Sequence, residues 1–264
     1  MTESKLEKLK FYSNILGKEM PLLVYLPENY EILGPLPVLY FLHGRNGNEN
    51  IMSEVDINTK ATEMIKNKEV NPIIIVCPRM DNSRGLNSSI VCKEVVNPIN
   101  NRVVNIGMYE DYFVKEIIPL IDNTFNTIQS RNGRYIGGAS AGGYIALHNA
   151  FRHPYLFSKV GGHMPALDLQ FEDDDKIYFS DDVMWKKYDP IHICKNNPIS
   201  LDIDIYLDAG DRDEVRFYEG CSVLHSILQL NNMNSQNHIF PGNHNVEYIQ
   251  SNFEKYLQFY CPYI

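Results

Sequence analysis

Apolar residues fall along this chain in two patterns, short unbroken runs and longer stretches at helical spacing. The runs Val38-Leu39-Tyr40-Phe41-Leu42 and Ile73-Ile74-Ile75-Val76-Cys77 are apolar without alternation. Such runs read as strands buried on both faces. Arg134–Gly138, Val160–Pro165, Asp204–Ala209 and the short His238-Ile239-Phe240 read as further strands. Helical spacing predicts helices over Ile57–Lys68, Tyr109–Phe125, Tyr144–Phe151, Glu214–Leu230 and Val246–Phe259. The last of these carries Tyr248, Ile249, Phe253, Tyr256 and Leu257 on one apolar face. Pro119 is expected to bend or interrupt the helix that contains it. Near the start, Lys10–Ile15 and Leu22–Leu26 flank Gly17 and predict a β-hairpin. Two segments, 79–106 and 166–199, show no period, and long aperiodic stretches are often functional.

Strands and helices alternate from end to end. That pattern predicts an α/β fold, with a mainly parallel central sheet and helices on both faces. No repeat and no Pro/Gly/Ser-rich linker divides the 264 residues, so one domain over 1–264 is expected. Ligands of such sheets bind outside the carboxyl ends of the strands.

Composition narrows the function classes. With 44% hydrophobic and 22% charged residues the chain is neither a disordered nor a membrane type. The apolar runs are too short to span a bilayer. The opening Met1-Thr2-Glu3-Ser4-Lys5 leads into charged residues, so no secretory leader is expected. A net charge of −9 disfavours nucleic acid and anionic membranes as partners. The acidic run Glu172-Asp173-Asp174-Asp175 reads as a solvated loop. Five cysteines, an odd number without a Cys-x-x-Cys pair, fit reduced thiols in a cytoplasmic protein. No metal and no cofactor is expected, and homo-oligomerisation is left open.

The candidate chemistry centres on Gly138-Ala139-Ser140-Ala141-Gly142, between a predicted strand and a predicted helix. Small residues around Ser140 allow a sharp turn that lifts its hydroxyl out of the backbone, as in a nucleophile elbow. A serine hydroxyl needs a base, and the base needs an orienting acid. His244 follows the last predicted strand through Pro241-Gly242-Asn243, which presents it from a loop at the strand ends. The acid should follow the strand ending near Ala209, where Asp208, Asp211 and Asp213 compete. Asp208 falls inside the strand, and Asp211 and Asp213 also suit a turn and a helix N-cap. An oxyanion needs two N–H donors. Ala141, next after the serine, offers one. The loop His43-Gly44-Arg45 after the strand Val38–Leu42 offers the other, assigned to the Arg45 amide. His43 itself reads as a packing residue beneath that loop.

On these residues the chain resembles the esterase family of α/β-hydrolases that includes feruloyl, acetylxylan and siderophore esterases, S-formylglutathione hydrolases and mycolyltransferases. The resemblance runs from about Met20 to Tyr260. It rests on Val24-Tyr25-Leu26-Pro27 with Tyr30, His43-Gly44, Tyr109-Glu110-Asp111-Tyr112, Gly138 to Gly143, Gly210 to Asp213, and Gly242 to His244. It implies the α/β-hydrolase fold and a Ser140–His244–Asp213 triad, because the family's Gly-x-x-Asp falls on Asp213. The His43-Gly44-Arg45-Asn46 loop differs from the Ser-Gly-Leu-Thr-Cys type of S-formylglutathione hydrolases and is closer to the feruloyl, acetylxylan and siderophore branch. The implied activity is hydrolysis of small soluble acyl esters: acetyl, feruloyl or carbohydrate-linked. An acyltransferase with a sugar or alcohol acceptor, and a catalytically silent binding protein, are the alternatives. Met164, Phe179 and Trp185 read either as an acyl wall or as core.

Overall fold

In the computed structural model, which describes residues 2–196 and 202–263, the apolar runs form the centre of an eight-stranded sheet. The strands are β1 (Lys5–Ser13), β2 (Lys18–Leu26), β3 (Val38–Leu42), β4 (Ile74–Pro78), β5 (Lys93–Val96), β6 (Val103–Ile106), β7 (Arg134–Ala139), β8 (Lys159–His163), β9 (Asp204–Gly210) and β10 (Ser235–Phe240). Their order across the sheet is β1-β2-β4-β3-β7-β8-β9-β10, while β5 and β6 make a separate hairpin. β1 and β2 pair antiparallel with each other, and β2 with β4. Within the large sheet, the pairings β4-β3-β7-β8-β9-β10 are all parallel. This is the α/β-hydrolase fold.

Burial on both faces explains the unbroken apolar runs. All five residues of β3 and all five of β4 are buried. Adjacent residues of β3 face opposite layers, as strand geometry requires. Phe41 packs edge-on against Phe253 of the closing helix Val246–Tyr260 at 5.0 Å. Tyr40 packs edge-on against Phe113 at 5.4 Å on the other side. The helix Ala141–Arg152 is buried over almost its whole length, from Ala141 to Phe151. Helices on both faces are thus required to cover the sheet.

Three departures from the sequence reading have physical causes. The segment 79–106 contains β5 and β6, four residues each and, apart from Val104, exposed or half-buried, so no apolar alternation marks them. The segment 166–199 contains the helices Asp182–Tyr188 and Pro190–Asn196, each two turns long and too short to show a period. Residues 197–199 of that segment lie outside the described residues. Pro119 does not break its helix. The chain widens into a π-helical stretch over Tyr112–Ile117, and Pro119 then sits in the first turn of Ile118–Thr124. The wider turn absorbs the missing N–H and the ring.

The acidic run is only partly a solvated loop. Asp175 is buried, because the buried Arg84 guanidinium meets it at 2.6 Å. All five cysteines are free thiols, four of them buried. No helix of the described residues is long and apolar enough to cross a membrane.

Sheet register places the candidate loops together. Leu42 pairs with Gly138, Ala139 with His163, His163 with Asp208, and Gly210 with Phe240. The loops after β3, β7, β9 and β10 therefore leave one edge of the sheet. β3 and β7 are also neighbours where the chain reverses its direction of travel across the sheet, the position at which such sheets bind ligands.

Candidate active site

The turn at Ser140 is forced and then locked. Ser140 has φ 54° and ψ −116°, a conformation that side chains rarely adopt. Its N–H donates to the His163 carbonyl at 3.0 Å. Its own carbonyl accepts from the amides of Tyr144 at 3.1 Å and Ala166 at 3.0 Å. The elbow also needs bare backbone at its two ends. A Cβ on Gly142 would lie 2.2 Å from the Leu42 carbonyl oxygen, and one on Gly138 would lie 2.5 Å from the Gly142 carbonyl carbon. The serine thus stands above β7, at the start of the helix Ala141–Arg152.

His244 reaches this serine from the loop after β10. Its Nε2 lies 2.9 Å from Ser140 Oγ, and its Nδ1 lies 3.0 Å from Asp213 Oδ2. The loop is braced from both sides. The Gly242 amide donates to Asp211 Oδ1 at 2.9 Å, and the Arg212 amide donates to the Gly242 carbonyl at 2.9 Å. Asn245 then caps the closing helix by accepting from the Tyr248 amide at 3.0 Å. The Phe217 ring packs edge-on against the imidazole at 5.2 Å.

Geometry separates the three competing aspartates. Asp213 is buried and uses both oxygens, one toward His244 and the other as acceptor for the Val215 amide at 2.9 Å. It is a turn residue and the histidine's partner at once. The N-cap position of the helix Phe217–Leu230 falls on Arg216 instead. Asp211 is the brace of Gly242. Asp208 is fully buried and accepts from His163 Nδ1 at 2.8 Å, Tyr248 at 2.7 Å and Tyr256 at 2.8 Å.

The two residues assigned as amide donors line one space. Ala141 opens its helix, where N–H groups have no intrahelical acceptor. Ala141 and Arg45 both line the cleft at Ser140. Gly44 brings the Arg45 loop close, since a Cβ on it would already lie 3.3 Å from Ser140 Cβ. His43 anchors this loop from below. Its Nε2 accepts from the Met80 amide at 3.0 Å, and its Nδ1 lies 2.8 Å from the Gly44 carbonyl. Burial pushes the His43 pKa down, which favours the neutral ring that can accept at one nitrogen and donate at the other.

Two chambers flank the serine. The more apolar one, of about 270 Å³, is lined by Ile51, Val55, Met164, Val246 and Ile249, with His43, Glu54 and Asn245 also on its wall. A polar one of about 290 Å³ is lined by Arg45, Arg84, Arg102, Asp168, Asp174 and Phe217. Ser140, Arg45 and His244 border both. Of the three large apolar residues singled out from the sequence, Met164 lines the apolar chamber. Phe179 and Trp185 are core, Trp185 against Phe171 and Phe179 against Tyr188. Arg84 and Arg102 and the wall residues Ile51 and Val55 carry no sequence signal. Each stands in a loop or on a helix face that a core residue could equally occupy.

A strand–serine–helix elbow, with histidine and aspartate delivered by the loops after two later parallel strands, is the architecture of the α/β-hydrolases. Within that class the chain belongs to the esterase family, described as "Putative esterase", whose model matches residues 13–260. It is 28% identical over 163 residues to protein YjcH of Bacillus subtilis strain 168, across 61% of this chain and 62% of YjcH. It is 25% identical over 162 residues to Esterase Rv1288 of Mycobacterium tuberculosis, across 61% of this chain and 32% of that protein. The matches thus span less than two thirds of either relative. The solved structure of a ferulic acid esterase superposes with a TM-score of 0.79 at 20% identity, covering 99% of this chain and 98% of the other.

Proposed function

We propose that this chain is a serine carboxylesterase that works through an acyl-enzyme on Ser140. The carrying observation is the continuous path from Asp213 Oδ2 through the His244 ring to Ser140 Oγ, at 3.0 and 2.9 Å. His244 takes the hydroxyl proton as Ser140 Oγ attacks the ester carbonyl carbon. The carbonyl oxygen becomes an oxyanion, held by the Arg45 and Ala141 amides. The tetrahedral species collapses, the bond to the leaving oxygen breaks, and His244 returns its proton to the departing alcohol. Water, deprotonated by His244, then attacks the acyl carbon; the bond to Ser140 Oγ breaks, His244 returns the proton to Oγ, and the acid leaves. Asp213 keeps the proton on Nδ1 and stabilises the imidazolium that forms.

The apolar chamber supports small acyl esters as substrates. Its five apolar side chains share with His43, Glu54 and Asn245 the lining of a space of about 270 Å³, small for a ligand pocket. A series of 4-nitrophenyl esters of rising acyl length, with product analysis in the presence of added alcohols, tests both the size limit and water as the acceptor. A fluorophosphonate probe tests the nucleophile. It should label the wild type and leave Ser140→Ala unlabelled, with turnover lower by several powers of ten. Labelling of folded Ser140→Ala would sink the assignment.

A further inference from the structure

The polar chamber holds three arginines whose donors the protein leaves largely unused. Arg84 is buried, its Nη2 facing Asp175 at 2.6 Å and Asp168 at 3.4 Å, and its guanidinium lies 4.6 Å over the Tyr144 ring. Its Nε and Nη1 are buried without any hydrogen-bond partner. Unpaired donors of that kind are rare in native interiors. Arg102 lies at 3.9 Å from Asp174, beyond hydrogen-bond length. The same Asp174 oxygen accepts from Asn100 Nδ2 at 3.0 Å. The Arg45 guanidinium has no ion pair and no side-chain hydrogen bond among the described residues. Partial desolvation, and then the like charges of Arg84 and Arg102, push its pKa down.

The acidic residues of the chamber do not offset this. Asp168 is committed to Arg84, and burial pushes its carboxyl pKa up. Asp175 meets Arg84 through Oδ1 and leaves Oδ2 buried without a partner, and Asp174 Oδ2 serves Asn100. Arg45 and Arg102 line the cavity beside a serine and an imidazole, with most of their side-chain donors uncommitted. A ligand that fits such donors brings acceptors and negative charge. Guanidinium groups pair with carboxylate and phosphate through parallel N–H···O bonds, and do so more strongly when partly desolvated.

We propose that this chamber binds an anionic group, carboxylate or phosphate, carried by the ester substrate, with Arg45 and Arg102 as the gripping residues. The proposal rests on the esterase reading above. Arg45 then acts twice, through its backbone on the oxyanion and through its side chain on the substrate's charge. The anion must therefore lie within one side chain's reach of the reacting carbonyl, which selects small charged esters over long neutral ones. A cationic ester would have to sit against the charges of Arg45 and Arg102.

Matched ester pairs test this. One pair carries the charge on the acyl side: 4-nitrophenyl hydrogen succinate against its neutral methyl ester. The other carries it on the alcohol side: 3-acetoxybenzoate against methyl 3-acetoxybenzoate. In at least one pair the anionic member should show kcat/KM higher by about tenfold, mainly through KM, given the strength of hydrogen bonds to charged groups. The advantage should shrink in high salt and fall toward unity in Arg102→Gln and Arg45→Gln. Inhibition of the favoured reaction by inorganic phosphate more than by benzoate would assign the group as phosphate, and the reverse as carboxylate. Equal or lower turnover of the anionic members in both pairs would overturn the proposal and leave the esterase reading standing. So would preference for acetylcholine over its neutral isostere 3,3-dimethylbutyl acetate. Failure of the wild type to hydrolyse any of these esters would overturn both.

Discussion

Replacing Asp213 by Asn removes one charge and one acceptor, and the structure says what each loss does. Both carboxylate oxygens face N–H donors: Oδ2 meets the imidazole Nδ1 at 3.0 Å and Oδ1 meets the Val215 amide at 2.9 Å. An asparagine has a single acceptor oxygen. If that oxygen stays with the Val215 amide, the NH₂ group faces Nδ1 and makes that nitrogen an acceptor. The ring proton then moves to Nε2, 2.9 Å from Ser140 Oγ, where it blocks uptake of the serine proton. If the amide flips, the part-buried Val215 amide loses its partner and the turn that holds residue 213 is loosened. The imidazolium formed during reaction is also left without its counter-charge. In triads of this kind the wrong tautomer lowers kcat by roughly four orders of magnitude. Asp213→Asn should therefore lose about three to four orders in kcat with a nearly unchanged KM. Asp211→Asn is the control. Its side-chain oxygen can still accept from the Gly242 amide at 2.9 Å, so kcat should stay within a few-fold of wild type. Steady-state hydrolysis of 4-nitrophenyl acetate, with circular dichroism to show both variants folded, reads the difference. Near-normal turnover in Asp213→Asn, or the larger loss in Asp211→Asn, would refute the argument from committed oxygens.

Gly142→Ala puts a Cβ 2.2 Å from the Leu42 carbonyl oxygen, so backbone must move; urea melts should show a loss of about 1–3 kcal/mol or more, with turnover reduced alongside. Asp208→Ala strips His163, Tyr248 and Tyr256 of their shared acceptor; it should cost about 3–5 kcal/mol by the same melts, and a loss below about 1 kcal/mol would count against a structural role for this cluster. Burial holds the His43 pKa below its unfolded value, so the unfolded chain binds more protons once pH drops past ~6.5. The stability His43 contributes should be full above that pH and lost as pH falls toward the folded value. Urea midpoints measured across this window should fall less steeply in His43→Gln than in wild type, and equal slopes would contradict the assignment.

The sequence by itself determined the sheet and the order of its chemistry. Five apolar residues in a row at Val38–Leu42 can be satisfied only by covering both faces of a strand. The closing helix followed from apolar residues recurring at 248, 249, 253, 256 and 257, and it spans Val246–Tyr260. Small residues at 138, 139 and 142 marked the elbow, because a turn with φ 54° at Ser140 tolerates little else beside it. These features are local, and each is legible because a short stretch of chain must satisfy its own geometry. Tertiary structure decided the rest. Nothing in the spacing of Asp208, Asp211 and Asp213 shows that only the third lies 3.0 Å from a histidine thirty-one residues later. That distance follows from the parallel register of β9 and β10, which sets both loops at one sheet edge. Asp175 looks solvated in its acidic run and is buried, because Arg84 comes to it from ninety-one residues away. The chamber of arginines joins residues 45, 84 and 102 from three separate loops that have no period of their own. A side chain's partners across the fold are fixed by where the strands carry its loop, and that information is spread over the whole chain.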